Sequence, residues 1–174
     1  MRKLIFGAIL LTAFAVKATA QTATAEAKAE ISSQLSISLT PGSSLNFGKI
    51  AVSAGSPGYC NISTVGTVQV TGGVNTIPST TSNAVFDLTG VAGSAYSITL
   101  PASTTVTIND GSGVTMTVDN FKARPLSKGS DELTGTLNSS TGTDKFTVGG
   151  QLNVIANQKN GIYLGTFVVS VAYN

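Results

Sequence analysis

Apolar and polar residues alternate with a period of two through most of the chain after residue 20. This period places successive side chains on opposite faces of an extended backbone, so it predicts β-strands. Turn signals such as Asn109-Asp110-Gly111 interrupt the pattern, at intervals of roughly 8–12 residues that are typical of all-β domains. No convincing helical spacing follows residue 20. We therefore predict about nine or ten short strands in an antiparallel immunoglobulin-like β-sandwich.

The two ends of this region carry the longest alternating runs. The N-terminal run predicts one long strand, or two strands hinged near Ser32-Ser33, from its odd-numbered apolar positions: Ala23, Ala25, Ala27, Ala29, Ile31, Leu35, Ile37 and Leu39. After Asn160-Gly161 the sequence predicts one continuous C-terminal strand. Its core face is formed by Tyr163, Phe167, Val169, Val171 and Tyr173, and its other face is partly apolar. A further strand contains Gly149-Gly150, where we expect a break or bulge.

The first 20 residues have the composition of a secretory signal peptide. Arg2 and Lys3 precede an apolar run over residues 4–16, which is too short to span a bilayer as a mature helix. Ala18-Thr19-Ala20 then provides a cleavage site, so the mature chain is expected to start at Gln21. We predict a signal peptide over residues 1–20 and a single β-sandwich domain over residues 21–174. The mature protein is expected to have no membrane span and to be exported, to the periplasm, the cell surface or the medium.

The charges and the missing histidines exclude several kinds of function. Loss of the leader lowers the basic residues from ten to seven, against eight acidic residues, and leaves no basic patch for nucleic acid. The chain contains no histidine, which removes Ser-His-Asp and Cys-His catalysis and the usual zinc sites. The carboxylates fall mostly at predicted turns or on solvent-facing positions. We therefore predict no enzymatic activity, no cofactor and no metal, and interpret the Asn109–Gly113 stretch as a hairpin turn rather than a calcium loop.

Two neighbouring residues, Tyr59 and Cys60, have side chains that are candidates for contact or reaction with another molecule. Cys60 is the only cysteine, so no intramolecular disulfide forms, and it is either a buried inert thiol or half of an intermolecular bridge. Tyr59 lies in a stretch rich in Gly, Pro and Ser. It is the only aromatic residue that we consider for contact with a ligand, because the other tyrosines fit the core faces of their predicted strands.

The C-terminal run has a more specific resemblance. Gly161 is the fourteenth residue from the end and Tyr173 is the penultimate residue. Together with the alternating apolar residues, they resemble the C-terminal motif of chaperone–usher pilin subunits. That resemblance implies an open groove beside this strand, filled first by a periplasmic chaperone and later by an N-terminal strand of the next subunit. One departure is that Ala23, Ala25, Ala27 and Ala29 supply little bulk, since a buried methyl group contributes about 0.8 kcal/mol against about 1.5–3 kcal/mol for Val, Leu or Ile.

A second resemblance covers most of the mature chain. It is carried by four stretches of sequence: residues 45–50 (LNFGKI), 96–101 (YSITLP), 116–121 (MTVDNF) and 161–169 (GIYLGTFVV). They are similar to the bacterial secreted family catalogued as domain of unknown function 4402. This resemblance implies a secreted sandwich and supplies no activity.

Two functional hypotheses follow from these patterns. The first is a structural subunit of a pilus-like or adhesive surface assembly, in which residues 21–31 donate a strand to the edge formed by residues 161–173 of a neighbouring subunit. Its expected partners are other copies, other surface subunits and a chaperone. The second is a self-complete exported sandwich that binds a ligand or host surface through residues 55–59 or 122–131.

Overall fold

A computed structural model describes residues 25–174, none of which is helical. The chain divides into two units, residues 1–31 and residues 32–174. The second unit contains thirteen strands. They are Ser36–Leu39 (β1), Lys49–Val52 (β2), Gly58–Ile62 (β3), Val68–Gly72 (β4), Val74–Ile77 (β5), Ala84–Thr89 (β6), Ala95–Thr99 (β7), Ser103–Ile108 (β8), Thr115–Pro125 (β9), Thr134–Thr136 (β10), Thr143–Val154 (β11), Tyr163–Leu164 (β12) and Ser170–Tyr173 (β13).

The centre of the unit is an eight-stranded sheet built on β11. One edge of β11 pairs with β9 along most of its length, and β9 continues through β8 to β12. The other edge pairs with β6 in its first half and with β3 in its second half. β1 extends the sheet beyond β6, and β4 extends it beyond β3. Every pairing in this sheet is antiparallel.

Two smaller sheets cover the same face of this large sheet. The three-stranded sheet β10-β7-β13 packs over the first half of β11, where Tyr96 and Ile98 join Leu88, Phe146 and Val148 in one apolar cluster. The two-stranded sheet β2-β5 packs over the second half, in a cluster that includes residues such as Val74, Cys60 and Leu152. The even-numbered side chains of β11 enter both clusters. The prediction of an all-β antiparallel sandwich is confirmed, although the part of the chain described contains thirteen strands rather than nine or ten.

A bulge keeps the buried side chains of β9 on the core side. Met116 and Val118 face the core from even positions, whereas Ala123 faces it from an odd position. The pairing register shifts between Gly149 and Gln151 of β11, and the extra residue lies in β9, where Asn120 has a φ of 49°. Asn is one of the few residues that tolerate this left-handed conformation. The irregularity expected at Gly149-Gly150 is therefore at the predicted place on β11, but the inserted residue belongs to the partner strand.

The long N-terminal strand predicted from the odd-numbered positions is wrong for most of its length. Strand β1 covers only Ser36–Leu39, and residues 25–35 form no strand. Ala25, Ala27, Ala29 and Ile31 are exposed. Side chains with enough apolar surface to join the core begin at Leu35 and Ile37. Alanine gains too little from burial to hold a strand against the entropy of ordering it. Among the residues described, the structure has no helix that could cross a membrane.

Of the two alternatives for Cys60, a buried thiol or half of an intermolecular bridge, the structure shows a buried thiol. Its side chain is fully enclosed on β3 in the cluster with Val74 and Leu152. Burial raises the pKa of the Cys60 thiol, because the surrounding apolar groups cannot stabilise a thiolate. The thiolate is the form that reacts. The folded protein therefore protects Cys60 both by enclosing its side chain and by raising the pKa of its thiol.

We predict that iodoacetamide does not label Cys60 in the folded protein at about pH 8.5, the ordinary thiol pKa, and labels it stoichiometrically in guanidinium. Mass spectrometry of the alkylated protein measures both. A Cys60→Ser variant carrying Ser112→Cys in the exposed turn after β8 is the matched control, and it is expected to react at the rate of a free thiol. Rapid native labelling of Cys60 would contradict the packing described.

Candidate strand-addition edge

The C-terminal segment (residues 161–173) crosses from one sheet of the sandwich to the other. Tyr163–Leu164 pair with β8 in the large sheet, and Ser170–Tyr173 pair with β7 in the small sheet. Between them, residues 165–169 belong to no strand; the hydroxyl of Thr104 donates a hydrogen bond to the carbonyl of Thr166 at 2.6 Å. The prediction of one continuous C-terminal strand is therefore wrong. The chain changes sheets because β7 and β8, which it follows, themselves belong to different sheets.

Phe167 anchors the crossing to the core. Its ring stacks on Phe121, with centroids 5.0 Å apart, and meets Phe86 edge-on at 6.3 Å. Val169 and Val171 pack against the same cluster and are half-buried. The alternation predicted for this segment holds across the crossing, since the odd positions face inward. Aromatic contacts of this kind contribute about 0.5–1.5 kcal/mol beyond the area that they bury.

The penultimate residue, Tyr173, ties the end of the segment to the start of the domain. Its hydroxyl donates to the carbonyl of Ser33 at 3.0 Å and accepts from the backbone N–H of Val91 at 2.7 Å. The hydroxyl lies so close to Gly90 that a Cβ there would collide with it. Tyr173 therefore links the end of the C-terminal segment to the backbone at Ser33, shortly before β1.

Polar contacts hold the other end of the segment. Tyr163 donates from its hydroxyl to the carbonyl of Lys159 and accepts from the amide of Gln158, both at 2.7 Å. Lys159 forms an ion pair with Asp110 at 2.6 Å. The hydrogen bond from Lys159, with a further one from Ser112, holds the pKa of the Asp110 carboxyl below its ordinary value. The loop before β12 is thus fastened to the turn between β8 and β9.

Gly161 and Gly165 differ in how closely their surroundings confine them. A Cβ on Gly161 would meet only the flexible side chain of Ile108. A Cβ on Gly165 would lie 2.6 Å from the backbone carbonyl oxygen of Thr105, which cannot move aside without breaking β8. The sequence motif directs attention to Gly161, but the structure shows Gly165 to be the more constrained glycine.

The outer edge of the C-terminal segment has free hydrogen-bonding groups. β13 pairs with β7 on one side, and no described strand pairs with its other side. The N–H of Asn174 donates to the carbonyl of Ala95. Because bonding alternates along an antiparallel pair, Val171 and Tyr173 direct their N–H and C=O groups away from β7. Several large side chains beside this edge are exposed: Ile162, Leu164 and Val168 have exposures of 69%, 60% and 79%.

The predicted donor residues are only partly within the described chain. Ala25, Ala27, Ala29 and Ile31 are exposed and belong to no strand. Ala23 and the predicted cleavage residues Ala20 and Gln21 lie outside the described residues.

The two loops considered for ligand binding are partly strand. Tyr59 lies on β3, with 37% of its surface exposed, and residues 122–125 belong to β9. The remaining residues, 126–131, form the loop that carries Asp131, which accepts a hydrogen bond from Thr64 at 2.6 Å. Within residues 25–174, no group of three or more Cys, Asp or Glu side chains could hold a metal ion.

Sequence reasoning missed two features of this edge. Phe86 and Phe121 receive Phe167, yet they lie 81 and 46 positions away along the chain. Register between distant strands is not encoded in local alternation. The ion pair of Asp110 with Lys159 was missed for the same reason, although both residues neighbour turn sequences.

We predict that Asp110→Asn lowers the urea midpoint of unfolding at pH 7 and that this difference shrinks in acid. The folded-state pKa of Asp110 is depressed, so its stabilisation is present above its ordinary pKa of 3.8 and is lost as the pH falls through the lower folded-state value. Urea titrations of both proteins across that range measure the effect. Asp119→Asn is the control, because Asp119 forms no ion pair with any residue that the structure describes. A difference that grows in acid would contradict the pairing.

Comparison with known proteins gives one match. The family described as a domain of unknown function, DUF4402, matches residues 35–173, from the residue before β1 to the penultimate Tyr173. No curated protein and no solved structure matches the chain. The matched region contains all thirteen strands and the whole C-terminal segment. The chain therefore belongs to the DUF4402 family.

Proposed function

We propose that this chain is a non-enzymatic structural subunit of a pilus-like or adhesive bacterial surface assembly, exported with a cleaved signal peptide and polymerised by β-strand addition. The observation that carries the proposal is the open edge of the C-terminal segment. The backbone groups of Val171 and Tyr173 in β13 have no strand partner among the described residues on their outer side, and Ile162, Leu164 and Val168 are exposed earlier in the same segment.

An edge of this composition favours pairing with another chain. Native sheets usually protect their edges with charges, prolines or covering loops, because a free apolar edge is a template for aggregation. Residues 161–173 contain neither a charged residue nor a proline. An added strand would satisfy the outward N–H and C=O groups of Val171 and Tyr173 and cover the half-buried Val169.

The N-terminal segment (residues 21–31) has the properties of the donor. It alternates with apolar residues at odd positions, and its described part is exposed and forms no strand of its own. Its four alanines would contribute about 0.8 kcal/mol each on burial and Ile31 about 1.5–3 kcal/mol. Main-chain hydrogen bonds, at about 0.5–1.5 kcal/mol each, therefore supply a large share of the affinity. A donor with small side chains suits an acceptor whose core is already nearly closed.

We predict that deletion of residues 21–31 leaves a folded, soluble subunit that no longer polymerises. Size-exclusion chromatography with light scattering measures assembly, and circular dichroism measures folding. A synthetic peptide of residues 21–31 should bind the truncated subunit, whereas a peptide of the same composition with the alternation scrambled should not. Polymers that persist without the segment would show that strand donation by residues 21–31 is wrong.

We predict that the double variant Leu164→Lys and Val168→Lys blocks polymerisation without unfolding the monomer. Both side chains are mostly exposed, so the folded subunit loses little, whereas lysines at a strand edge disfavour pairing. Leu126→Lys with Leu133→Lys is the matched control, because these leucines are similarly exposed but lie away from the C-terminal segment. Equal polymerisation of the two double variants would place the assembly interface elsewhere.

The alternative proposal is a self-complete exported sandwich with a ligand-binding or adhesive role. It is favoured by the closure of the core, since Leu88, Phe146 and Val148 are no more than 1% exposed without a donated strand. That proposal expects a stable monomer even with residues 21–31 present, and the light-scattering measurement distinguishes the two.

A further inference from the structure

The face of the large sheet opposite the core divides into a charged half and a half with a single charged residue. Beside the first half of β11, outward positions include Asp87, Lys145, Lys122 and Arg124. Beside its second half, the outward positions of β8, β9, β3 and β4 carry hydroxyl and amide side chains, and Asp119 is the one charged residue among them. The whole chain is only 10% charged, and on this half of the face the polarity comes almost entirely from hydroxyl and amide groups.

Cross-strand register arranges these side chains in straight rows. One row runs across five strands through Thr105, Thr117, Asn153, Tyr59 and Thr71, each directly opposite the next. The neighbouring row runs from Ser103 to Gln69. At a strand spacing of about 4.8 Å, the first row spans about 19 Å. The result is a shallow surface with donors and acceptors at regular intervals.

Tyr59 gives this surface its one aromatic ring. It lies between Asn153 and Thr71 in the row, with 37% of its surface exposed, whereas Tyr96 is fully buried and Tyr163 faces the core. The other tyrosines are thus accounted for by packing or by hydrogen bonds within the fold. An exposed Tyr is rigid and amphipathic and loses little entropy when a ligand packs against its ring.

We infer that this face of β8, β9, β11, β3 and β4, whose one charged residue is Asp119, is a docking surface for an uncharged glycan chain, with Tyr59 as its stacking residue. A sugar polymer presents hydroxyl groups that both donate and accept hydrogen bonds. The Thr, Ser, Asn and Gln side chains of the rows can likewise donate and accept hydrogen bonds. The lack of lysine and arginine argues against nucleic acid and anionic polysaccharides, which need a positive surface. The scarcity of aromatic and aliphatic groups argues against a protein partner, whose interface core would be richer in them.

This inference is independent of polymerisation, because the surface lies on the sheet face rather than on the C-terminal edge. A subunit that polymerises would display one such face per copy, and multivalency would raise the avidity of a weak site. A self-complete monomer would have the same site with single-site affinity.

The test uses the full-length exported protein, insoluble cellulose and chitin, an array of uncharged oligosaccharides, and heparin as the anionic comparison. We expect retention on at least one uncharged glycan, unchanged up to about 1 M salt, where charge attractions are screened within about 3 Å. Tyr59→Ala is expected to weaken that binding by at least about tenfold. Tyr59→Phe, which keeps the ring, should bind nearly as well as the original protein.

Two further variants distinguish loss of the binding surface from loss of the folded structure. Asn153→Lys places a charge in the centre of the row and should also weaken binding, whereas Thr89→Ala, an exposed change on the charged half, should not. Circular dichroism and thermal unfolding confirm that each variant folds. Binding to no uncharged glycan, equal binding by Tyr59→Ala, or salt-sensitive retention on heparin alone would each overturn the inference.

Discussion

The pairing of β11 with β9 is the interaction on which the rest of the structure depends. β11 is twelve residues long, and its other edge pairs with β6 and β3 in turn. Its even-numbered side chains supply both apolar clusters, so the two small sheets have a common surface to cover. The inserted Asn120 keeps β9 facing that surface on both sides of the bulge. Without this insertion, one half of β9 would turn its polar side chains into the core.

The covering of one long sheet by two short ones determines where the edges are open. The chain must change sheets several times, and the C-terminal segment makes the last of these crossings. It pairs with β8 at one end and with β7 at the other, and Phe167 fills the space between. Its outer edge has no partner among residues 25–174. The donor hypothesis and the self-complete alternative differ in what lies along this edge in the assembled protein.

Local alternation was enough to predict the sheet class, the buried side of the C-terminal segment and the place of the irregularity at Gly149-Gly150. It failed where the pattern and the energy of burial disagree. The alanines before Ser32 alternate as well as any strand, but the first side chains of this run that pack against the core are those of Leu35 and Ile37. It also could not assign residues 161–173 to two sheets, or bring Phe86 and Phe121 to Phe167, because those facts depend on register between strands far apart in sequence. The rows of polar side chains around Tyr59 could not be predicted for the same reason.

In the assembly that we propose, the open C-terminal edge of one subunit pairs with residues 21–31 of another. Material sheared from the surface of the native host, run in SDS with and without boiling and probed for this protein, tests this pairing most directly. Strand exchange predicts a ladder of multiples in the unboiled lane that collapses to a single band on boiling. Cys60 alone can link no more than two chains, so disulfides cannot produce such a ladder. A single monomer band in both lanes would contradict strand exchange and favour the self-complete sandwich.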